Sequence, residues 1–389
     1  MAEFPFSLHP PAVSRNEHFL VLAPAASDGW FDGRTITAHS PAGGLCRCTM
    51  TDAAEQLDAT FRFSGDGLTA ALIMYEGDAF VAHYTSYSVP DLTPEIDSRR
   101  RGSLLAEVQC DFSGASYSAA VDKTRDRIAR GDVYVLNLTG RITGTPVTSP
   151  WDSFLELHQR ARGKMSAFFG SLDAQLPTIA SVSPERFFRI RTLQGERRID
   201  IRPIKGTRPR ETDGSADVAG KRALSADPKE LAEHLMVVDL IRNDIGRISA
   251  PGTVRVHPFM HVETTPYCHQ LVSGVHGVVR GGASLAEVLA SIFPCGSITG
   301  APKLAAMRIA DELEPSPRGA YCGTLIVAIH GHIDASVLIR TLEWTSPDRA
   351  QWGTGCGITY DSDPTTEWSE LQLKAQPVLG AAEFKHPGR

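Results

Sequence analysis

Several common structural devices are missing from this 389-residue sequence. No apolar run approaches the ~20 residues that a membrane-spanning helix needs. The stretch near the N-terminus carries no basic leader, and Pro24 interrupts its apolar residues. No CxxC element occurs, and the seven cysteines (Cys46, Cys48, Cys110, Cys268, Cys295, Cys322 and Cys356) show no repeating spacing. A zinc module or a disulfide framework is therefore excluded, and the thiols read as free, in a reducing cytoplasmic setting. A basic excess is also absent: 39 Lys and Arg stand against 45 Asp and Glu, for a net charge of -6. That excludes a dedicated nucleic-acid binder, and the run Arg99-Arg100-Arg101 reads as a solvated loop. HExxH, GxSxG, the P-loop and the dinucleotide glycine pattern do not occur. What remains is an ordinary globular composition, 42% hydrophobic and 22% charged, in a chain long enough to bury roughly three quarters of its unfolded surface.

Residues 1–100 read as a β-rich N-terminal subdomain. The segment from Ala59 to Val89 alternates apolar and polar residues, and Gly65-Asp66-Gly67 and Glu76-Gly77-Asp78 are expected hairpin turns. The polar, Pro-containing stretch 89–103 reads as a linker. From Ser116 the spacing turns helical until Gly131, and a strand-like VYVLNLTGRITG follows. Later strands look like hairpin partners more often than βαβ crossovers, which predicts a mixed α+β architecture.

Four segments carry candidate chemistry. SPERFFRI and RIDIRPIKGT flank a turn-like Leu193-Gln194-Gly195-Glu196. A hairpin centred on Gly195 places Glu185 opposite Lys205, with Cβ atoms ~5 Å apart; a two-residue loop shifts that register by one, and Pro184 and Pro203 interrupt the ladder. On pattern alone the pair also reads as an exposed ion pair. In the helical KELAEHLMVVDLIRND, Glu230 and Glu233 share a face, opposite an apolar stripe of Leu231, Leu235 and Val238. They matter only if another carboxylate faces them, as a hard divalent cation requires; Glu370, four residues before Lys374, is the candidate. Gly353, Gly355 and Gly357 read as a glycine-dense loop whose N–H groups approach an anion. In FPCGSITGAPK, Thr299 or Gly300 would cap a helix and Pro302 open it, with Lys303 either at an anion-binding end or at an unspecialised helix start. Arg340, in the strand-like ASVLIRTLEW, is expected to point inward and need an anion, while His269 reads as a satisfied core histidine.

Together these segments resemble the chorismate-utilising enzymes. Six motifs occur in that family's order between about Ser116 and Ala375: SPERF, PIKGTRPR, KELAEHLMVVDLIRND, FPCGSITGAPK, RGAYCGTL with SVLIRT, and GCGITYDSDPTTEWSELQLKA. The resemblance implies two antiparallel β-sheets packed as a sandwich with helices outside, and a chorismate-binding catalytic domain over residues 116–380. Lys between PI and GT is similar to the aminodeoxychorismate synthase branch, where anthranilate synthases carry Ala. Lys205 is then the nucleophile at chorismate C2, acting as the free amine. Glu185 is the general acid for the departing C4 hydroxyl, its pKa raised by an apolar pocket.

The resemblance further implies Mg²⁺ held by Glu233 and Glu370, neutralising the ring carboxylate. Tyr321, Arg340, Gly355 and Gly357 match positions that hold the enolpyruvyl carboxylate. Gly206, Thr207 and Gly300 match further substrate contacts, and Lys374 a carboxylate partner. Gln270 stands where anthranilate synthases have a His linked to pyruvate elimination. No glutaminase element or LLES-type tryptophan site is found, so a separate glutamine amidotransferase is the expected ammonia source. The rivals are anthranilate synthase component I, an isochorismate or salicylate synthase using water, and a non-catalytic chorismate-binding homologue. Against the last stand the intact Lys205, Glu185, Glu233 and Glu370.

Overall fold

The longest strand, Val135–Pro146, organises the molecule. A computed structural model of the protein describes residues 17–39, 41–63, 65–88, 102–174, 176–264 and 268–380. Val135–Pro146 runs antiparallel to Arg349–Ile358, with register from Ala350 opposite Gly144 to Ile358 opposite Leu136. On these two the first sheet is built. Its order continues through Thr341–Ser346, Thr178–Ser183, Met165–Gly170, Phe19–Leu22 and Ile36–His39, with Gly300–Ala301 and Leu105–Cys110 on the far side of Val135–Pro146.

The second sheet runs Arg255–Val256, Val275–Val278, Glu196–Ile201, Arg186–Leu193, His332–Val337, Thr324–Ile329, Leu68–Ile73, Asp78–Tyr84 and Leu45–Thr49. Each holds nine strands among the described residues. Leu20, Phe169 and Ile179 of the first sheet meet Leu72, Leu325 and Val327 of the second in one buried cluster. Helices Met50–Arg62, Pro228–Gly246 and Leu285–Ile292 cover the outer face of the second sheet. Pro150–Ala161 and Pro364–Leu379 cover that of the first. The expected α+β sandwich is thus present. Unforeseen is a third sheet, Ile204–Pro209, Cys268–Val272 and His261–Thr264, which leads the chain out of the second sheet toward the site.

Helix Gly114–Ala129 starts on a reciprocal Ser113–Ser116 capping box and gives way to left-handed Gly131, φ 82°, as its spacing predicts. Residues 50–62 correct an expectation. They form a helix rather than strands, capped by Thr49 and Asp52 and burying Ala53, Ala54, Leu57 and Phe61. Gly65-Asp66-Gly67 accordingly joins a helix to a strand instead of turning a hairpin. Glu76-Gly77-Asp78 does lie at the turn between Leu68–Ile73 and Asp78–Tyr84. Phe19–Leu22 pairs with Met165–Gly170 and Leu68–Ile73 with Thr324–Ile329, so the first hundred residues supply strands to both sheets. Arg99-Arg100-Arg101 and most of the linker 89–103 lie outside the described residues. None of the seven cysteines forms a disulfide, and no described helix is long and apolar enough to cross a membrane.

Candidate active site

Gln194 and Gly195 form a two-residue turn, so the ladder from Leu193–Glu196 to Arg189–Asp200 is offset by one from a hairpin centred on Gly195. It also stops early. Pro203, which has no N–H to give a ladder, follows the end of strand Glu196–Ile201, and Ile204–Pro209 pairs with Cys268–Val272 in the third sheet. Glu185 and Lys205 are therefore not cross-strand partners, which corrects the hairpin reading. Tertiary structure places them near each other by another route.

A register shift between Ile204 and Thr207, with Gly206 left-handed at φ 83°, bulges the strand at Lys205. A side chain at Gly206 would also strike Glu230, whose Oε2 lies 2.8 Å from the Cβ position. Lys205 Nζ stands 3.7 Å from Glu233 Oε2. Both line one cavity with Val135, Asn137, Val237, Gly296, Ser297, Gly300 and Gly357. Glu185 is buried, and its Oε1 accepts a 2.8 Å hydrogen bond from Ser297 Oγ. Burial pushes its carboxyl up to about 7, against the opposing pull of Ser297, Lys205 and Lys164. Near neutrality it is poised to give up a proton.

The glycine-dense segment is a strand, not a loop. Gly353, Gly355 and Gly357 face Arg141, Thr139 and Asn137 across the ladder, and alternate residues share one face. Their value is close approach. A Cβ at Gly353 would fall 2.0 Å from Tyr321 Cγ, one at Gly355 2.5 Å from the Leu138 carbonyl oxygen, and one at Gly357 2.9 Å from Lys205 Nζ. Tyr321 is buried, with the Arg141 guanidinium 4.9 Å from its ring centre.

Gly300 is left-handed at φ 140° and pairs with Leu136 rather than capping a helix. Helix Lys303–Leu313 starts without a side-chain cap. Lys303 Nζ is engaged by Asp244 Oδ2 at 2.6 Å and the Ile292 carbonyl at 3.0 Å, so the anion-binding reading of that helix end does not hold. Arg340 is not in a strand: it is left-handed at φ 51° in a bend and exposed rather than enclosed in core. Among the described residues no carboxylate pairs with it. His269 is a satisfied core histidine, bonded to Asp217 Oδ1 and Thr264 Oγ1, each at 3.0 Å.

On helix Pro228–Gly246 the buried stripe is His234, Val237, Val238, Ile241 and Ile245, and Leu235 is exposed. That corrects the expected stripe while leaving Glu230 and Glu233 beside Lys205 and Gly206. Glu370 pairs with Lys374 at 2.7 Å, and Lys374 Nζ also donates to the Gly355 carbonyl at 2.8 Å. Lys205 acts on Glu370, helping Lys374 hold its carboxyl below the ordinary value against desolvation. Burial and then the neighbouring Glu233 raise Glu230; burial, opposed by Ser362 and aided by Glu370, raises Glu367. Glu230 with Glu233 on one helix and Glu367 with Glu370 on another form two carboxylate pairs, and carboxylate oxygen is the donor that Mg²⁺ takes. Cys356 Sγ lies within 4.8 Å of oxygens of Glu367 and Glu370, though it is bonded to the Glu367 carbonyl.

Lys205, Glu233, Gly300 and Gly357 thus meet at one cavity, with Glu185 attached to it through Ser297. Gly206 adjoins it; Thr207, Tyr321, Arg340, Gly355, Glu370 and Lys374 are not among its lining. The sequence reading missed Ser297, although it lies inside FPCGSITGAPK, and it missed Arg318. That guanidinium is buried, paired with Glu314 at 2.7 Å, and donates to the carbonyls of Ile298 at 2.7 Å and Asn137 at 2.8 Å. It ties together the two backbone segments that carry Ser297 and Asn137.

A two-sheet sandwich with a cavity lined by a lysine and a glutamate, and a carboxylic acid near neutrality hydrogen-bonded to its lining residue Ser297, defines a candidate site for an anionic substrate. Residues 71–380 match the family described as chorismate binding enzyme, and the chain belongs to that family. It is 39% identical over 283 residues to aminodeoxychorismate synthase component 1 of Klebsiella aerogenes, covering 72% of this chain and 61% of that protein. It is 37% identical over 296 residues to anthranilate synthase component 1 of Thermus thermophilus, covering 76% and 62%. The chain therefore spans about three fifths of the length of these relatives. The menaquinone-specific isochorismate synthase of Escherichia coli shares the fold, with a TM-score of 0.75 at 16% identity over 97% of this chain and 93% of that one.

Proposed function

We propose that the protein is the chorismate-aminating component I of an aminodeoxychorismate synthase, supplying 4-amino-4-deoxychorismate for 4-aminobenzoate synthesis. The observation that carries this reading is the position of the Lys205 amine: inside the cavity, against the bare backbone of Gly357, with Glu185 held beside the same cavity by Ser297. An amine at this place has a nucleophile's access to a ring lying over the glycine face. In the first step the Lys205 nitrogen bonds to C2, the ring double bonds shift, and the C4–O bond breaks. Glu185 passes its proton to the leaving oxygen, which departs as water. Ammonia then bonds to C4, the double bonds shift back, the C2–N bond breaks to return the amine, and the new C4 ammonium gives a proton back to the Glu185 carboxylate.

Glu233 and Glu370 would hold Mg²⁺, whose charge would neutralise the ring carboxylate. Tyr321, Arg340 and the Gly355–Gly357 backbone would receive the enolpyruvyl carboxylate, Gly206, Thr207 and Gly300 would border the ring, and Lys374 would serve as a further carboxylate partner. A glutamine amidotransferase would deliver the ammonia, and ammonium salts should replace it.

The test is incubation of the purified chain with chorismate, Mg²⁺ and ammonium at mildly alkaline pH, following product mass and pyruvate. Aminodeoxychorismate without pyruvate supports the reading; anthranilate with pyruvate overturns it in favour of the anthranilate branch. Lys205→Ala should abolish amination, and a full residual rate would remove the covalent step.

A further inference from the structure

The acid Glu185 does not stand alone. Ser297 Oγ, 2.8 Å from Glu185 Oε1, also lies 3.2 Å from Cys295 Sγ. A hydroxyl has a single proton to give, and lone pairs with which to accept another. Burial, reinforced by the Glu185 charge, pushes the Cys295 thiol up to about 12, so near neutrality the sulfur keeps its proton and donates it. The three side chains form a directed chain, from S–H to O–H to carboxyl.

Both ends of the chain are fixed by backbone contacts. The turn bearing Ser297 is held by Asn137 Nδ2 and Arg318 Nη1, which donate to the Ile298 carbonyl at 3.1 and 2.7 Å, and by Thr299 Oγ1, which donates to the Cys295 carbonyl at 3.0 Å. The Glu185 main chain is held by Val337 N–H at 3.1 Å and by the Ser183 hydroxyl, which accepts from Glu185 N–H at 3.2 Å. A hydrogen bond between two such anchored groups restricts rotation of the carboxyl as well as stabilising its ionised form.

We propose that Ser297, oriented by the Cys295 thiol, is the positioning residue of the acid: it keeps the Glu185 carboxyl in one orientation beside the Lys205 cavity and favours release of its proton. This rests on the reading of Glu185 as proton donor. The charged and titratable groups facing Glu185 are Lys205, Lys164 and Cys295. The lysines favour the carboxylate as Ser297 does, while burial opposes it. Removing the Ser297 hydroxyl leaves burial less opposed, so Glu185 holds its proton to higher pH.

The experiment uses the full chain in wild-type, Ser297→Ala and Ser297→Thr forms. The Glu185 carboxyl is titrated by infrared difference spectroscopy without substrate, with Glu185→Gln as the blank. The pH profile of amination is then measured at constant free ammonia. The Ser297→Ala midpoint should rise by about one pH unit, as expected for loss of one hydrogen bond to a charged group. Ser297→Thr, which keeps the hydroxyl, should restore the wild-type midpoint. The alkaline limb of the amination profile should move up with the Ala midpoint, with kcat falling more than the KM for chorismate changes. An unmoved Ala midpoint in a folded variant, or a Thr variant displaced as far as Ala, overturns the proposal. A shifted midpoint in a chain that forms no aminodeoxychorismate would uphold the positioning role and overturn the amination reading.

Discussion

Two glycines on one face of strand Arg349–Ile358 offer a sharp comparison, because alanine at each meets a different kind of atom. Neither has a positive φ, so Ala pays no backbone strain at either position, and it gains ~0.4–1 kcal/mol by restricting the unfolded chain. At Gly355 the new methyl would lie 2.5 Å from the Leu138 carbonyl oxygen and 2.7 Å from Thr139 Cγ2. Ladder backbone does not yield cheaply, and overpacking of this kind costs ~1–3 kcal/mol or more. At Gly357 the methyl would lie 2.9 Å from Lys205 Nζ, and the next neighbour, Val135 Cγ2, at 3.8 Å. The end of a lysine moves easily, so Gly357→Ala should leave stability within ~0.5 kcal/mol of wild type.

The same movement harms chemistry. Restoring a contact of ~3.5 Å displaces the amine by roughly 0.6 Å, and a misplacement of ~1 Å near reacting atoms costs ~100-fold. The proposed amination should therefore fall about tenfold or more in Gly357→Ala. Urea unfolding and kcat/KM with chorismate and ammonium, measured on both variants, test this. Full activity in Gly357→Ala, or equal destabilisation of the two, would refute the argument that Lys205 works against the bare backbone at 357.

Other consequences follow from buried charges. Because the folded-state pKa of Glu185 is raised to about 7 from an ordinary carboxylate value near 4.3, the native state binds the proton more tightly than the unfolded chain. Its contribution to stability is full below the unfolded pKa and is lost as pH rises through about 7, so Glu185→Gln should gain roughly 3 kcal/mol relative to wild type between pH ~4 and ~8; parallel stability curves over that window would contradict the burial argument. Arg318→Met leaves Glu314 buried without its guanidinium and should cost ~3–5 kcal/mol in urea unfolding. Asp334 pairs with Arg186 at 2.7 Å, both side chains buried, and accepts from Phe31 N–H at 2.9 Å. Asp334→Ala should destabilise by a similar ~3–5 kcal/mol, and a loss below ~1 kcal/mol would show that the pair is not desolvated as its surroundings imply.

Local rules succeed where local forces decide. Helix Gly114–Ala129 was legible from Ser113, Ser116 and Gly131 because caps and left-handed glycines act within one turn of chain. Strand Val135–Pro146 was legible from its strand-like run of residues, VYVLNLTGRITG. The alternation read from Ala59 onward misled because it overlaps the end of a helical set, Ala53, Leu57 and Phe61, whose advantage appears only when a sheet is present to bury it.

The site itself was decided by non-local geometry. Sequence by itself determined which residues carry an amine, a carboxyl or no side chain at all. It could not tell that Pro203 would send Lys205 into a third sheet, that Gly353, Gly355 and Gly357 would form a strand face instead of a loop, or that Lys303 would turn inward to Asp244. Nor could it reveal that Ser297, 112 positions from Glu185, would hold that acid. A hydrogen bond, an ion pair or a desolvation shift depends on separations of a few ångströms between atoms remote in the chain, and packing of the two sheets sets those separations.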